Sequence, residues 1–122
     1  MTLSRTTPIL RMFDEARTRA FYCDFLGFEV LFEHRFAPDL PLYLAVRRGG
    51  CELHLSGHHG DATPGSSARI QADDVDAYCA ELAAKHHPQA RPTVQAMPWG
   101  TRDFTVTDPS GNRLTFTSAV ST

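Results

Sequence analysis

The sequence predicts an α+β protein built from two βαβββ modules, and three observations carry that reading. The stretch Met97 to Thr117 (MPWGTRDFTVTDPSGNRLTFT) holds two alternating runs around a tight turn. Phe104 and Val106 alternate with Asp103, Thr105 and Thr107; Leu114 and Phe116 alternate with Arg113, Thr115 and Thr117. Period-two alternation marks half-buried strands, and Pro109 and Gly111 supply the fixed and the free φ that a reversal needs. An earlier stretch, Tyr43 to Ser56 (YLAVRRGGCELHLS), repeats this pattern around Gly49-Gly50, with Leu53-His54-Leu55-Ser56 lining up with Leu114-Thr115-Phe116-Thr117. Each hairpin follows a segment of helical periodicity. Two related modules of about sixty residues are a duplication, too few copies for a solenoid.

Taken in order, residues 1–6 read as a loose polar start, and Thr7 to Met12 as a first strand. Pro8 stands near that strand's beginning, where a missing N–H is tolerated. Asp14 is the expected N-cap of a helix whose Ala16, Ala20, Phe21, Phe25 and Leu26 fall near helical spacing, and Gly27 is its left-handed stop. Phe28 to Glu33 is a second strand, and residues 34–40 a loop with Phe36 exposed or facing a cleft. Leu42 to Arg47 and Cys51 to Ser56 complete module one, about residues 7–57. Residues 58–67 carry Gly, Pro, Ser and Asp without apolar periodicity and form the linker. Module two, about 68–118, opens on the strand Ala68 to Ala72. Asp73-Asp74 then caps a helix with the apolar stripe Val75, Tyr78, Cys79, Leu82 and Ala83. Lys85, His86 and His87 sit at its negative end, and Pro88 stops it. Thr93 to Met97 is a sixth strand before the final hairpin. One helix per sheet covers one face only, so the other must meet its twin or a ligand.

A chain of 122 residues, 1–122, is a single domain with room for one core. The net charge of −2, without a basic run, argues against nucleic acid as a partner. No apolar run approaches the ~20 residues that span a bilayer, and no signal-peptide segment stands at the start, so no membrane and a cytoplasmic location are expected. Cys23, Cys51 and Cys79 lack CxxC spacing and read as buried, reduced thiols.

The strings FYCDFLGFEV (21–30), RRGGCELHLS (47–56) and PWGTRDFTVTDPSGNRLTF (98–116) resemble the glyoxalase / bleomycin-resistance / extradiol-dioxygenase (vicinal oxygen chelate) superfamily, and within it the bleomycin resistance proteins. The resemblance runs from Thr7 to Thr117. It implies two cupped mixed β-sheets with helices outside, clefts completed by a homodimer, and a first strand that is exchanged between subunits about Pro8 or merely opens an edge. It also implies where metal-dependent members place their four ligands: Thr7, His54, Arg69 and Thr115. Only His54 of these binds a first-row metal well, while Arg69 sets a permanent cation there. A two-residue register shift brings Glu52 onto the same face, yet two ligands fall short of the three a catalytic zinc usually has. No metal and no cofactor are therefore expected. Of the remaining polar residues, His58-His59 reads as a solvated loop, His86-His87 as a helix end serving its dipole, and Asp108 as a turn former. His34 has no partner readable from sequence, and Ser56, Ser66 and Cys51 sit in no nucleophile motif.

What remains is a metal-free cleft for a small molecule, with Phe32, Phe36, Tyr43, His54, Arg69, Trp99, Arg102, Phe104 and Thr115 as its candidate lining. The resemblance implies that flat bithiazole rings lie between aromatics of the two subunits, and Phe32 and Trp99 match two of those places. Arg69 stands where relatives have a stacking Trp; with Arg102 it would suit an anionic or carbonyl-bearing ligand. Each residue has a plainer alternative: Trp99 and Phe32 as core, Arg69 in an ion pair, His54 as a hydrogen-bonded core histidine. The resulting expectation is a homodimer that sequesters a glycopeptide antibiotic of the bleomycin type, or a similar flat ligand, with no catalytic residue. The alternatives are a metal-dependent lyase, isomerase or dioxygenase, and a binder of an endogenous metabolite.

Overall fold

Two four-stranded sheets with the same connectivity make up the computed structural model, which describes residues 1–88 and 90–120. Module one contains β1 (Ile9–Arg11), α1 (Glu15–Arg19), β2 (Glu29–His34), β3 (Tyr43–Arg48) and β4 (Cys51–Ser56). Module two contains β5 (Ser67–Gln71), α2 (Val75–Ala83), β6 (Gln95–Ala96), β7 (Thr101–Thr107) and β8 (Arg113–Ala119). The sheets run β1-β4-β3-β2 and β5-β8-β7-β6. In each, the first strand lies parallel to the last and the other pairs are antiparallel. The duplication extends to single residues: Ile9 pairs with His54 in one sheet as Arg69 pairs with Thr115 in the other.

The expected elements are present, with informative departures. Asp14 and Asp74 cap the helices, each side chain accepting from the backbone N–H three residues on. The first helix widens over Ala20–Phe25 into a π-turn, in which Leu26 N–H donates to Phe21 O, and Phe21, Tyr22 and Phe25 are all buried. Gly27 follows at φ +80°, as a left-handed stop requires. The second helix ends at Ala83, before the basic cluster. Lys85 instead donates to the carbonyls of Asp24 and Phe25, satisfying the exit of the first helical segment. His87 packs its ring on Phe21 and Phe25, a core role in place of the expected dipole role. The sixth strand shrinks to Gln95–Ala96.

One contiguous core joins the modules. Leu44, Val46, Leu53 and Leu55 of the first sheet, both helical segments, and Phe104, Val106, Leu114 and Phe116 of the second all belong to it. Each helix covers the core face of its own sheet and leaves the opposite face open. The modules are locked by a buried polar knot at the β7–β8 turn. Asp108 accepts from Tyr22 Oη (2.7 Å), from the backbone of Ser110 and Asn112, and from Asn112 Nδ2. Asn112 Nδ2 also donates to Arg11 O, and Phe13 N–H donates to Ser110 Oγ. Asp108 is therefore a turn former that also anchors module one. Burial, with the adjacent Asp108 charge, pushes the Tyr22 phenol far above its ordinary value, so it stays a donor.

Removing that donor tests the knot. Tyr22→Phe leaves a buried carboxylate short of one partner and should cost about 1–3 kcal/mol, read as a lowered urea midpoint with an unchanged slope.

Candidate functional site

Strand register decides which side chains reach each open face. In the first sheet, Ile9, His54 and Ala45 are cross-strand neighbours, and Phe32 pairs with Ala45, His34 with Tyr43, and Tyr43 with Ser56. These residues share the face turned away from Leu44, Val46, Leu53 and Leu55. A bulge between Val30 and Phe32 breaks the alternation of β2, so Val30 pairs with core-facing Val46 while Phe32 stands on the open face. Phe32 is 47% exposed and Phe36, in the following loop, 75%.

The open face of this sheet is an aromatic and polar cluster. The rings of Phe32 and Tyr43 lie nearly parallel, 11° apart in plane and 6.4 Å between centroids. His54 presents its ring at a steep angle to both, at 5.5 and 5.3 Å. Tyr43 Oη lies 2.7 Å from His54 Nδ1, and Glu52 Oε2 lies 2.6 Å from His54 Nε2. Phe36 sits between the rings of His34 (4.6 Å) and His58 (5.9 Å), so His58 and His34 have a ring partner that the sequence did not reveal. Ser56 Oγ donates to Asp61. Burial, reinforced by the charges of Asp61 and Glu52, pushes the Tyr43 phenol up.

The open face of the second sheet is polar throughout. Arg69 pairs with Thr115, Thr115 with Thr105, and Thr117 with both Gln71 and Asp103. Thr105 and Thr115 share a hydrogen bond of 2.8 Å. The Arg69 guanidinium donates to Asp103 through both terminal nitrogens (2.9 and 3.3 Å) and to Thr117 Oγ1 at 3.0 Å. Burial raises the Asp103 carboxyl, but hydrogen bonds from Thr117, Arg69 and Thr101 outweigh it and hold the group below its ordinary value.

Three of the nine expected lining residues thus cluster on the first sheet (Phe32, Tyr43, His54), Phe36 lies in the loop after β2 against His34, and Arg69 and Thr115 sit together on the second. Phe104 belongs elsewhere: it pairs with Phe116, is 2% exposed and packs in the core against Tyr78. Arg102 also lies off the open face, its guanidinium bound to Asp76 of α2 at 2.9 and 2.7 Å. Both Arg69 and Arg102 are therefore committed to carboxylates, and the cations expected to attract an anionic ligand are already neutralised. Trp99 stands 63% exposed in the turn before β7, which closes through Gly100 N–H to Met97 O. Sequence reading passed over Asp103 and Thr117 as partners of Arg69. Strand register alone brings them together, across 34 and 48 positions, and no local pattern marks it.

The metal positions implied by the resemblance do not fit a cation. His54 has both ring nitrogens engaged by Tyr43 and Glu52, and the permanent charge of Arg69 is pinned between Asp103 and Thr117. Among the described residues no three His, Cys, Asp or Glu side chains converge as a metal site. A cavity of about 770 Å³ lies at the seam between modules; Glu52 and Arg69 line it together with Pro8, Leu53, Ile70 and Phe116. Among the described residues no helix is long and apolar enough to cross a membrane.

Comparison with known proteins gives one family and a set of solved structures. A family model described as glyoxalase superfamily protein matches residues 1–122. No curated protein matches the chain. The bleomycin-binding protein from bleomycin-producing Streptomyces verticillus, solved with copper(II)-bleomycin, is 29% identical, with 100% of this chain and 99% of that one covered at a TM-score of 0.72. TnmS3, an antibiotic binding protein from Streptomyces sp. CB03234, is 25% identical, with 98% of each chain covered and a TM-score of 0.72. The bleomycin resistance determinant encoded on transposon Tn5 is 22% identical, with 96% and 98% covered and a TM-score of 0.73, and shares the fold.

The Arg69–Asp103 pair has a pH signature. A carboxyl held low in the folded state stabilises it above the unfolded value of about 3.9 and loses that contribution as pH falls through the lower folded value. The stability gap between the wild type and Asp103→Asn should therefore be full at about pH 7, persist to about pH 4, and shrink below it. Urea midpoints of the two proteins across that range check it.

Proposed function

The chain belongs to the glyoxalase superfamily, and we propose that it is a metal-free binding protein that sequesters a flat antibiotic of the bleomycin type, or a similar flat molecule, without altering it. The carrying observation is the open face of the first sheet, where Phe32, Tyr43 and His54 form one ring cluster and exposed Phe36 packs on His34, the cross-strand partner of Tyr43. Flat heteroaromatic rings gain roughly 0.5–1.5 kcal/mol per aromatic contact beyond area burial. The 29% identity to a bleomycin-binding protein across the full chain supports the same reading. Ligand contacts are assigned to Phe32, Phe36, Tyr43 and His54, with Arg69, Thr115 and Trp99 contributed from module two.

A homodimer completes the cleft in this proposal. Both sheets leave one face open, and neither face is closed by the chain's own helices. The second copy would bring its threonine-rich sheet over the aromatic one. Residues 1–6 form no element, Met1 and Leu3 are exposed, and the seam cavity borders Arg5, Thr6 and Pro8. That arrangement supports exchange of the N-terminal segment about Pro8. The enzyme alternative is less favoured because His54 and Arg69, the groups it would need free, are each held by neighbours.

Titration with metal-free and copper-loaded bleomycin tests the proposal through Trp99, the one tryptophan of the chain. A saturable fluorescence change at micromolar or tighter affinity is expected, with Phe32→Ala weakening it roughly tenfold. Flat titrations to high concentration would remove the antibiotic, and sedimentation as a monomer would remove the shared cleft.

A further inference from the structure

Glu52, His54 and Tyr43 form a hydrogen-bonded row on the aromatic face, and the row has a direction. An ionised carboxylate can only accept, so Glu52 requires the hydrogen on His54 Nε2, 2.6 Å away. A neutral imidazole then has a bare Nδ1, and Tyr43 Oη, 2.7 Å from it, must donate. The Tyr43 phenol has only one proton, which this row sends inward. Its oxygen therefore keeps only lone pairs for anything that lies against it. Arg47, opposite Glu52 in the ladder, gives its guanidinium to Glu29 at 3.0 Å and so leaves the Glu52 carboxylate to the histidine. Asp61 adds negative charge on the Tyr43 side.

We infer that Glu52 and His54 are positioning residues that fix Tyr43 as a hydrogen-bond acceptor, so that the site selects flat ligands whose edge carries an N–H donor over isosteres that carry an acceptor. The inference rests on the aromatic face being the ligand site. Phe32 and Tyr43 hold the ring of such a ligand without regard to its heteroatoms, and the Tyr43 oxygen reads its edge. An acceptor placed there would face an acceptor, leaving a polar group unpaired on burial.

Carbazole and dibenzofuran are planar tricycles of nearly the same shape that differ in an N–H donor against a ring oxygen. At about pH 8.5 the wild type should bind carbazole roughly tenfold more tightly, the worth of about one hydrogen bond. Tyr43→Phe should bring the two affinities near parity by weakening carbazole alone. Glu52→Gln should shrink the ratio, because an amide can donate to Nε2 and turn the row around. A merely structural Glu52 would change both affinities alike. Nitrogen-15 histidine spectra of the wild type should show the Nε2–H tautomer for His54, assigned by its loss in His54→Gln. Equal affinities in the wild type, no binding of either probe, an unchanged ratio in Tyr43→Phe, or an Nδ1–H tautomer would each overturn the inference. Discrimination between the probes with a flat bleomycin titration would uphold it and remove the antibiotic reading; bleomycin binding without discrimination would do the reverse.

Discussion

The buried knot at Asp108 is the constraint on which the relative placement of the two sheets depends. The oxygens of a carboxyl group that is 5% exposed need hydrogen-bond partners, and here they come from both modules. Tyr22 reaches it from the widened helix of module one, while Asn112 returns from the turn and also holds the Arg11 carbonyl at the end of β1. The π-turn and the DPSGN turn are thus parts of one device. Arg48 adds a second tie, bridging the Leu26 carbonyl and Glu81, with its guanidinium 4.6 Å from the Tyr78 ring centroid. Its ion pair is half exposed and contributes little by itself. What the ties accomplish together is orientation: both apolar faces turn into one core, and both open faces turn away from it.

Those open faces are chemically unlike. On the first sheet, the rings of Phe32, Tyr43 and His54 offer polarisable surface beside a directional polar row. On the second, threonines surround a guanidinium that is already neutralised by Asp103. In the proposed complex, charge on the second sheet would therefore do little of the recognising. What that face offers is a surface of hydroxyl groups, able to donate or accept.

Much of this was legible in the sequence because it depends on neighbours along the chain. Alternation gave the hairpins, Asp14 and Asp74 the caps, and Gly27 the helix stop. The misplacement of Phe104 was avoidable: Asp108 N–H closes the turn to Asn112 O, so counting back places Phe104 opposite Phe116 and Thr105 opposite Thr115. Phe104 and Thr115 cannot share a face. Other features depend on residues far apart in sequence and left no local trace. Lys85 reaches carbonyls 61 and 60 positions away, and Arg69 finds Asp103 across 34. The bulge that turns Phe32 outward is hidden for another reason. Val30, Leu31 and Phe32 are all apolar, so inserting one extra residue changes no visible pattern.

The same bulge bears on the proposal that the protein binds a ligand without transforming it. With regular alternation, Phe32 would share its face with Val30 and enter the core; the extra residue instead sets an aromatic ring beside Tyr43, where it must remain partly wetted until something covers it. Exposing a large ring costs free energy in the isolated chain and returns it only when the face is covered. At the same time His54, the one imidazole among the four positions where relatives would hold a metal, is immobilised between Tyr43 and Glu52. A general base needs a free lone pair within reach of its substrate, whereas a rigid recognition surface needs its polar atoms fixed before the ligand arrives. The row Glu52–His54–Tyr43 meets the second requirement and not the first.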